Sequence, residues 1–132
     1  AAQNARKFID SLLKIDINTK IIFMGDLNDY PTNASVQSIM EKLDPKITST
    51  SNRFGGTHCY KGEWNILDHI CISKGWKNGI LKTSPEKGTI LTLDYLLSTY
   101  KGNTVPFRTF GGSKYLGGYS DHLPVYIDLE IN

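Results

Sequence analysis

The stretch Ile21-Ile22-Phe23-Met24-Gly25-Asp26-Leu27-Asn28-Asp29 decides how this chain is expected to fold. Its first four residues form a continuous apolar run with β-branched members, which is typical of a buried strand. The run stops at Gly25, and a carboxylate and an amide follow within three residues. Polar side chains at the end of a buried strand mark the usual position of a binding site in layered α/β architectures. We therefore predict a strand that ends in a functional loop.

Three segments around this strand carry apolar residues at helical spacing. The first covers residues 2–15, the second follows Asn33 as a suitable N-cap, and the third covers residues 93–100. Their apolar stripes are Phe8, Leu12 and Ile15; Val36, Ile39, Met40 and Leu43; and Leu93, Leu96, Leu97 and Tyr100. The sequence thus predicts three helices, with a loop over residues 44–56, which are rich in Ser, Thr, Asn and Gly.

Two further strands are predicted over residues 57–60 and 66–73, paired around a turn at residues 61–63. Both faces of the second are largely apolar, so it is expected to be central and covered on both sides. Asp68 then shares a face with three isoleucines, and a buried carboxylate needs a hydrogen-bonding or cationic partner. Alternation over residues 125–131 predicts a last strand with one covered and one wetter face.

Composition is that of an ordinary soluble globular protein. The chain has 132 residues, 39% of them apolar and 21% charged, which suits a single domain over residues 1–132. A net charge of +2 predicts no strong electrostatic attraction to nucleic acid. The apolar runs are too short to span a bilayer, and the first residues do not distinguish a cytoplasmic from an exported protein. Cys59 and Cys71 are interpreted as reduced thiols, with a disulfide between neighbouring strands as the alternative.

Ser120-Asp121-His122 is the third motif that can carry chemistry, after Asp26-Leu27-Asn28 and Leu67-Asp68-His69. Together these motifs offer carboxylates, an amide and an imidazole, which are the groups needed to bind a divalent metal ion, activate water and hold a phosphoryl oxygen. His122 can also supply the partner that a buried Asp68 requires. We therefore expect the three motifs to meet in one site.

In this order, the motifs resemble the endonuclease/exonuclease/phosphatase family, which includes deoxyribonucleases, sphingomyelinases and inositol-polyphosphate 5-phosphatases. Residues 62–68 and 106–109 are similar to a branch common in Bacteroidetes. The resemblance implies an α/β (α+β) fold and corresponds to the C-terminal half of a two-sheet, four-layer α/β sandwich. That half would be mostly one mixed β-sheet covered by helices. The N-terminal half would supply an Asn, a metal-binding Glu and a second His.

The resemblance also implies a role for each motif residue in a metal-dependent phosphoesterase. Asp26 would accept a proton from the attacking water or hold it near the metal. Asn28 would point the same way as Asp26 if the backbone stays extended, and would hydrogen-bond the phosphate or the water. His122 would contact the phosphoryl oxygen, with Asp68 fixing its ring. Asp121 would face the metal, for which oxygen ligands favour Mg²⁺, with Mn²⁺ as an alternative.

Among the remaining polar and aromatic residues, some can contact the substrate and others have structural roles. Arg108 is a candidate for a phosphate contact and Trp64 for a substrate contact, against a surface ion pair and packing as the alternatives. Asp29 is interpreted as a helix cap, and His58 and His69 as core or surface histidines.

Two other functions stay open at this stage. One is a binding or scaffold module that keeps the fold without the chemistry. The other is a half-domain that assembles with a partner chain or self-associates through an exposed sheet face. The substrate of the phosphoesterase is also open, among nucleic acid, a lipid headgroup and a sugar phosphate, and the segment alone is expected to be weak or inactive.

Overall fold

A computed structural model describes residues 1–77, 79 and 81–131, and for residues 81–86 it describes the backbone alone. The helices are α1 (Ala2–Ile15) and α2 (Ala34–Met40), with short 3₁₀ turns at Lys74–Lys77 and Asp94–Leu96. In the described residues the strands are β1 (Ile22–Asp26), β2 (Asp44–Pro45), β3 (His58–Tyr60), β4 (Glu63–Asn65), β5 (Asp68–Ile72), β6 (Leu81–Ile90), β7 (Leu97–Tyr100), β8 (Asn103–Pro106), β9 (Phe110–Gly111), β10 (Lys114–Tyr115) and β11 (Val125–Ile131). Helices and antiparallel sheets together give an α+β fold.

The predicted first strand and the predicted central strand pair with each other. Strand β5 lies between β1 and β2, and its residues 69–72 are buried, so the central position is confirmed. Strand β1 lies at the edge of this three-stranded sheet, and Met24 is 69% exposed. The expectation of a buried strand was therefore wrong for β1, because the core clusters reach Ile22 and Phe23 but do not extend to Met24 in the described structure.

Two apolar clusters pack on opposite faces of β5, because its side chains alternate between the faces. Ile70 and Ile72 belong to a cluster with Ile90 and Leu123. Cys71 belongs to a second cluster that includes Ile9 of α1 and Ile39 of α2. The helix predicted over residues 2–15 is confirmed. The predicted stripe was wrong, because Phe8 and Ile15 are 65% and 84% exposed, and Ile9 with its neighbours Ala5 and Leu13 covers the second face of the sheet instead.

The predicted pairing of residues 57–60 with 66–73 was wrong. Strand β3 pairs instead with β4, and Tyr60 opposes Glu63 across a two-residue turn. Lys61 and Gly62 both have positive φ, 51° and 86°. Two such residues form the tight turn that matches the twist of a hairpin, so the partner strand begins immediately after them.

The predicted third helix was also wrong. After the 3₁₀ turn at Asp94–Leu96, the chain enters β7 and returns as β8. Lys101 and Gly102 again supply two consecutive positive φ values, 48° and 79°. The β-branched and aromatic residues on either side of this turn favour strands over the helix that the leucine spacing indicated.

The described strand pairs are all antiparallel, so the expectation of one mixed sheet was wrong. Two-residue turns account for three of these pairs, β3 with β4, β7 with β8 and β9 with β10, whereas the other three join strands that are distant in sequence. The last strand was predicted correctly, and β11 pairs with β6. Its covered face extends only over Val125 and Ile127, because Leu129 and Ile131 are 46% and 81% exposed.

Among the described residues, the helices lack the length and the apolar character needed to cross a membrane.

The side chain of Ile39 is 1% exposed in the cluster between the helices and β5, whereas Ile15 is 84% exposed. We expect Ile39→Ala to lower the free energy of unfolding by about 2–5 kcal/mol, because the truncation removes buried methyl groups and leaves a cavity. Urea denaturation measures this change. The control Ile15→Ala should stay within about 0.5 kcal/mol of the wild type. Equal losses for the two variants would contradict this assignment of the core.

Both cysteines are free thiols, as the first interpretation predicted. Burial raises the pKa of Cys71 to about 11, and burial also raises the pKa of the half-buried Cys59. We expect a chromogenic disulfide reagent at pH 8 to modify Cys59 in the folded protein and Cys71 only after denaturation. Cys59→Ser should then leave the folded chain without a reactive thiol, and loss of both thiols in denaturant without reductant would instead indicate a disulfide.

Candidate active site

Two carboxylates meet where β1 ends and β5 begins. The antiparallel register places Asp26 opposite Asp68. A backbone bond from the Leu27 amide to the Leu67 carbonyl, 2.9 Å long, continues the pairing beyond the strands. The ligand atoms of Asp26, Asp68 and His122 all lie within 4.8 Å of one another. Two of the three predicted motifs are therefore joined by the sheet, and the third reaches them through His122.

Asp68 and His122 form the closest polar contact in this group. Nδ1 of His122 lies 2.6 Å from Oδ2 of Asp68, and the two side chains are only 19% and 17% exposed. Because a carboxylate only accepts hydrogen bonds, Nδ1 is the donor. The contact fixes the ring and leaves Nε2 as the nitrogen that can meet a ligand. The partner predicted for Asp68 is thus present.

A buried threonine holds the Asp68 and His122 segments together. The Thr57 side chain is fully buried, and its Oγ1 accepts from the amides of Leu67 and Asp68 at 3.1 and 3.3 Å. Its carbonyl accepts from the Leu123 amide at 2.8 Å. Leu123 itself is anchored in the apolar core. Sequence reasoning missed Thr57, because its position in a predicted strand gave no sign of these long-range bonds.

The loop after β1 turns sharply at Asn28. Oδ1 of Asp26 accepts from the Asn28 amide at 2.9 Å, and Asn28 has a φ of 50°. The backbone is therefore not extended here, and the expectation that Asn28 points the same way as Asp26 on that basis was wrong. Asn tolerates the left-handed region better than most residues, and an Asx turn of this kind stabilises it.

Asp29 and His69 have structural contacts. Oδ2 of Asp29 accepts from the Ser35 hydroxyl in the first turn of α2 at 2.6 Å. The Asp29 carbonyl lies 2.8 Å from Nε2 of the fully buried His69. These bonds attach the functional loop to α2 and to β5. The interpretation of His69 as a core residue is confirmed, whereas the N-cap position of α2 is Asn33, and Asp29 bonds a side chain of the helix rather than one of its backbone amides.

Asp121 faces an open cavity beside His122. The cavity has a volume of about 330 Å³ and is lined by Arg108, Thr109, Phe110, Tyr119, Ser120 and Asp121. Nη2 of Arg108 lies 3.3 Å from Oδ2 of Asp121, and both side chains are about half exposed. The structure therefore shows the surface ion pair that was the alternative for Arg108, and it places that pair at the rim of the candidate site.

Trp64 stacks on Phe54, with ring centroids 4.5 Å apart and planes 10° from parallel. It is half-buried and packs against the core cluster that contains Ile70. This arrangement is the packing role that was the alternative to a substrate contact.

His58 is the second residue that sequence reasoning missed. It forms a β-bridge with His122, and the two ring centroids lie 4.8 Å apart. Ligand atoms of His58, Asp121 and His122 also lie within 4.8 Å of one another. Burial lowers the pKa of His58 below its usual value, the positive charge that His122 can carry lowers it further, and Asp121 opposes both effects. Only the pairing of the two segments, which the sequence does not reveal, brings these imidazoles together.

The carboxylates and the imidazole that meet in this α+β chain are the groups that a hydrolase site uses. Comparison with family models agrees, since the model of the Endonuclease/Exonuclease/phosphatase family matches residues 1–131. The chain belongs to this family, whose members are generally hydrolases of phosphoester bonds and typically depend on divalent metal ions. Comparisons with curated proteins and with solved structures gave no match.

Proposed function

We propose that this protein hydrolyses a phosphoester by in-line attack of water, with Mg²⁺ or Mn²⁺ as the cofactor. The observation that carries the proposal is the 2.6 Å contact between Asp68 and His122, beside Asp26. A nearly buried imidazole fixed by a carboxylate, with a further carboxylate within reach, suits transfer of a proton and stabilisation of charge on a phosphoryl oxygen.

The oxygen donors of the site suit a hard divalent ion. Asp26 and Asp68 form one candidate ligand group with His122, and Asp121 lies in the neighbouring group. Carboxylate oxygens are the ligands that Mg²⁺ and Mn²⁺ prefer. We assign Asp121 and Asp26 to the metal, which when bound supplies Lewis-acid stabilisation of the phosphoryl oxygens and lowers the pKa of water.

Each side chain of the site then has its own role in the hydrolysis. Asp26 accepts the proton of the attacking water. His122 presents Nε2 to a phosphoryl oxygen and donates a hydrogen bond as negative charge develops there. Asp68 keeps Nδ1 protonated and the ring in place. Asn28 bonds the phosphate from the turn that follows Asp26.

The cavity beside Asp121 is the proposed substrate site. Arg108 is exposed enough to exchange its bond with Asp121 for a bidentate bond to a phosphate oxygen, because a surface ion pair stabilises the fold little. Trp64 contributes by packing beneath the site or by an edge contact with the substrate. The lining does not select among nucleic acid, a lipid headgroup and a sugar phosphate.

In this proposal the chain corresponds to the C-terminal half of the family's domain and resembles the Bacteroidetes branch. No Glu or His precedes position 41, and Asn4 and Asn18 lack the sequence context of the Asn that the N-terminal half would supply. Exposed apolar side chains on β1 and β11 support a covering partner, among them Met24 at 69% and Ile131 at 81%. Full activity therefore belongs to the intact gene product.

A panel of phosphoesters assayed with the intact gene product tests this function. The panel contains single-stranded and double-stranded DNA, RNA, a sphingomyelin-type diester, an inositol phosphate and p-nitrophenyl phosphate, each with Mg²⁺, Mn²⁺ or EDTA. We expect hydrolysis of at least one member with a divalent ion and its loss in EDTA. Failure with every member would contradict the proposal and favour a scaffold module.

A further inference from the structure

Two imidazoles and a carboxylate meet next to the Asp26 group, and His122 is common to both sets. One ligand atom of each of His58, Asp121 and His122 lies within 4.8 Å of the others. This set offers two nitrogens and one oxygen, whereas the group of Asp26 and Asp68 adds two oxygens to the same imidazole. Nitrogen-rich and oxygen-rich sets select different metal ions, because imidazole favours Zn²⁺ and related transition metals and carboxylates favour Mg²⁺.

His122 is already oriented as a metal ligand. A ligating histidine almost always donates its second ring N–H to a carboxylate or carbonyl, which fixes the tautomer and increases the basicity of the free nitrogen. The bond from Nδ1 of His122 to Oδ2 of Asp68, 2.6 Å long, is a bond of this kind. The ring orientation that leaves Nε2 open to a ligand is therefore set before any ion binds.

His58 and Asp121 can complete the set of ligands with little loss of folding free energy. The His58 ring lies 4.8 Å from that of His122 and is partly buried, and a β-bridge joins the two residues. Asp121 is paired with Arg108 over 3.3 Å, and both side chains are about half exposed. A solvent-exposed pair of this kind contributes little, so Asp121 can exchange Arg108 for a dication.

We propose that His58, His122 and Asp121 form a binding site for a transition-metal dication of the Zn²⁺ class, which shares Asp121 with the proposed Mg²⁺ site and therefore competes with it. Three protein ligands leave the fourth tetrahedral position open to water. Occupation of this site prevents His122 from taking part in the phosphoester reaction, because one nitrogen cannot bind a metal ion and a phosphoryl oxygen at the same time. This consequence rests on the proposed function. The binding itself does not depend on that function.

Binding of Zn²⁺ and Co²⁺ to the purified, metal-free intact protein tests the site without a substrate. Zn²⁺ affinity is measured by competition with a chromophoric chelator, and Co²⁺ by its visible absorption, which is intense when the ion is four-coordinate. We expect His58→Gln to weaken Zn²⁺ binding by at least about 10-fold and to remove the Co²⁺ bands, because it removes one ligand. Asp68→Asn, which changes no ligand, should weaken binding by about 10–100-fold through His122.

Cys59→Ser is the matched control, because Cys59 follows His58 directly and a thiolate is the obvious competing zinc ligand. We expect this variant to bind Zn²⁺ as tightly as the wild type, and circular dichroism verifies that each variant is folded. Unchanged affinity in folded His58→Gln, or loss of affinity in Cys59→Ser, would overturn the site. Because no hydrolysis is measured, a negative phosphoester panel would leave a positive binding result in place.

Discussion

His122→Ala is expected to lower kcat for Mg²⁺-dependent phosphoester hydrolysis by about 10²–10³-fold. The imidazole is the donor that meets the charge developing on the phosphoryl oxygen, and removal of one such donor typically has an effect of this size. The interaction strengthens in the transition state, so KM should change much less than kcat. Initial rates measured with the intact protein over a range of substrate concentrations give both constants.

The fold should survive this substitution, although it leaves the partly buried Asp68 without its partner. That loss costs about 1–3 kcal/mol, which a thermal melt detects and a folded domain tolerates. Asp128→Asn, which alters an exposed carboxylate on β11, is the control and should retain the wild-type rate. If folded His122→Ala keeps kcat within about threefold of the wild type, the assigned role of His122 is wrong.

Asp68→Asn is expected to lower kcat by about 10–100-fold, again with little effect on KM. Asp68 is a positioning residue, because it acts through the 2.6 Å bond to Nδ1 of His122. Asparagine keeps the shape but removes the carboxylate that accepts from Nδ1 and orients the ring, and outer-shell partners of this type typically contribute one to two orders of magnitude. Steady-state kinetics of the folded variant measure the effect.

A purely structural role for Asp68 would give a different pattern. The unfolding midpoint would then fall, while kcat per folded molecule would stay near the wild-type value. Asp44→Asn provides the comparison. Asp44 lies on β2 opposite Ile72 of β5, and its side chain pairs with Lys77 at the surface. We expect Asp44→Asn to affect stability alone, whereas Asp68→Asn should affect kcat.

The parts of the fold that depend on local periodicity could be predicted from the sequence. The helix over residues 2–15 follows from the spacing of its apolar residues, and the strand that ends in Asp26 follows from a continuous apolar run. The central strand followed from two apolar faces, and the same reasoning predicted the contact of Asp68 with His122, because a carboxylate among isoleucines requires a partner.

The hairpins were missed because their signal lies in the backbone of two-residue turns. Lys61-Gly62 and Lys101-Gly102 each adopt positive φ at both positions, and the leucines near residue 97 gave a stronger but misleading helical pattern. In the second case, strand pairing overrode the helical spacing.

The remaining site residues depend on contacts between distant segments. Thr57 binds the Asp68 strand through its hydroxyl and the His122 segment through its carbonyl, and His58 reaches His122 through a single β-bridge. A single sequence does not show which strands become neighbours. The turn at Asn28 is the opposite case, since a local Asx bond ended the extended backbone that the motif suggested.

The most direct test of the central claim is a double-mutant cycle on Asp68 and His122 in the intact, Mg²⁺-loaded protein. If the pair acts as one catalytic unit, Asp68→Asn lowers kcat in the wild-type background but has almost no further effect once His122 is alanine. The double variant should then match His122→Ala within about threefold. Multiplication of the two losses would show that the residues act independently, and would contradict the proposed centre.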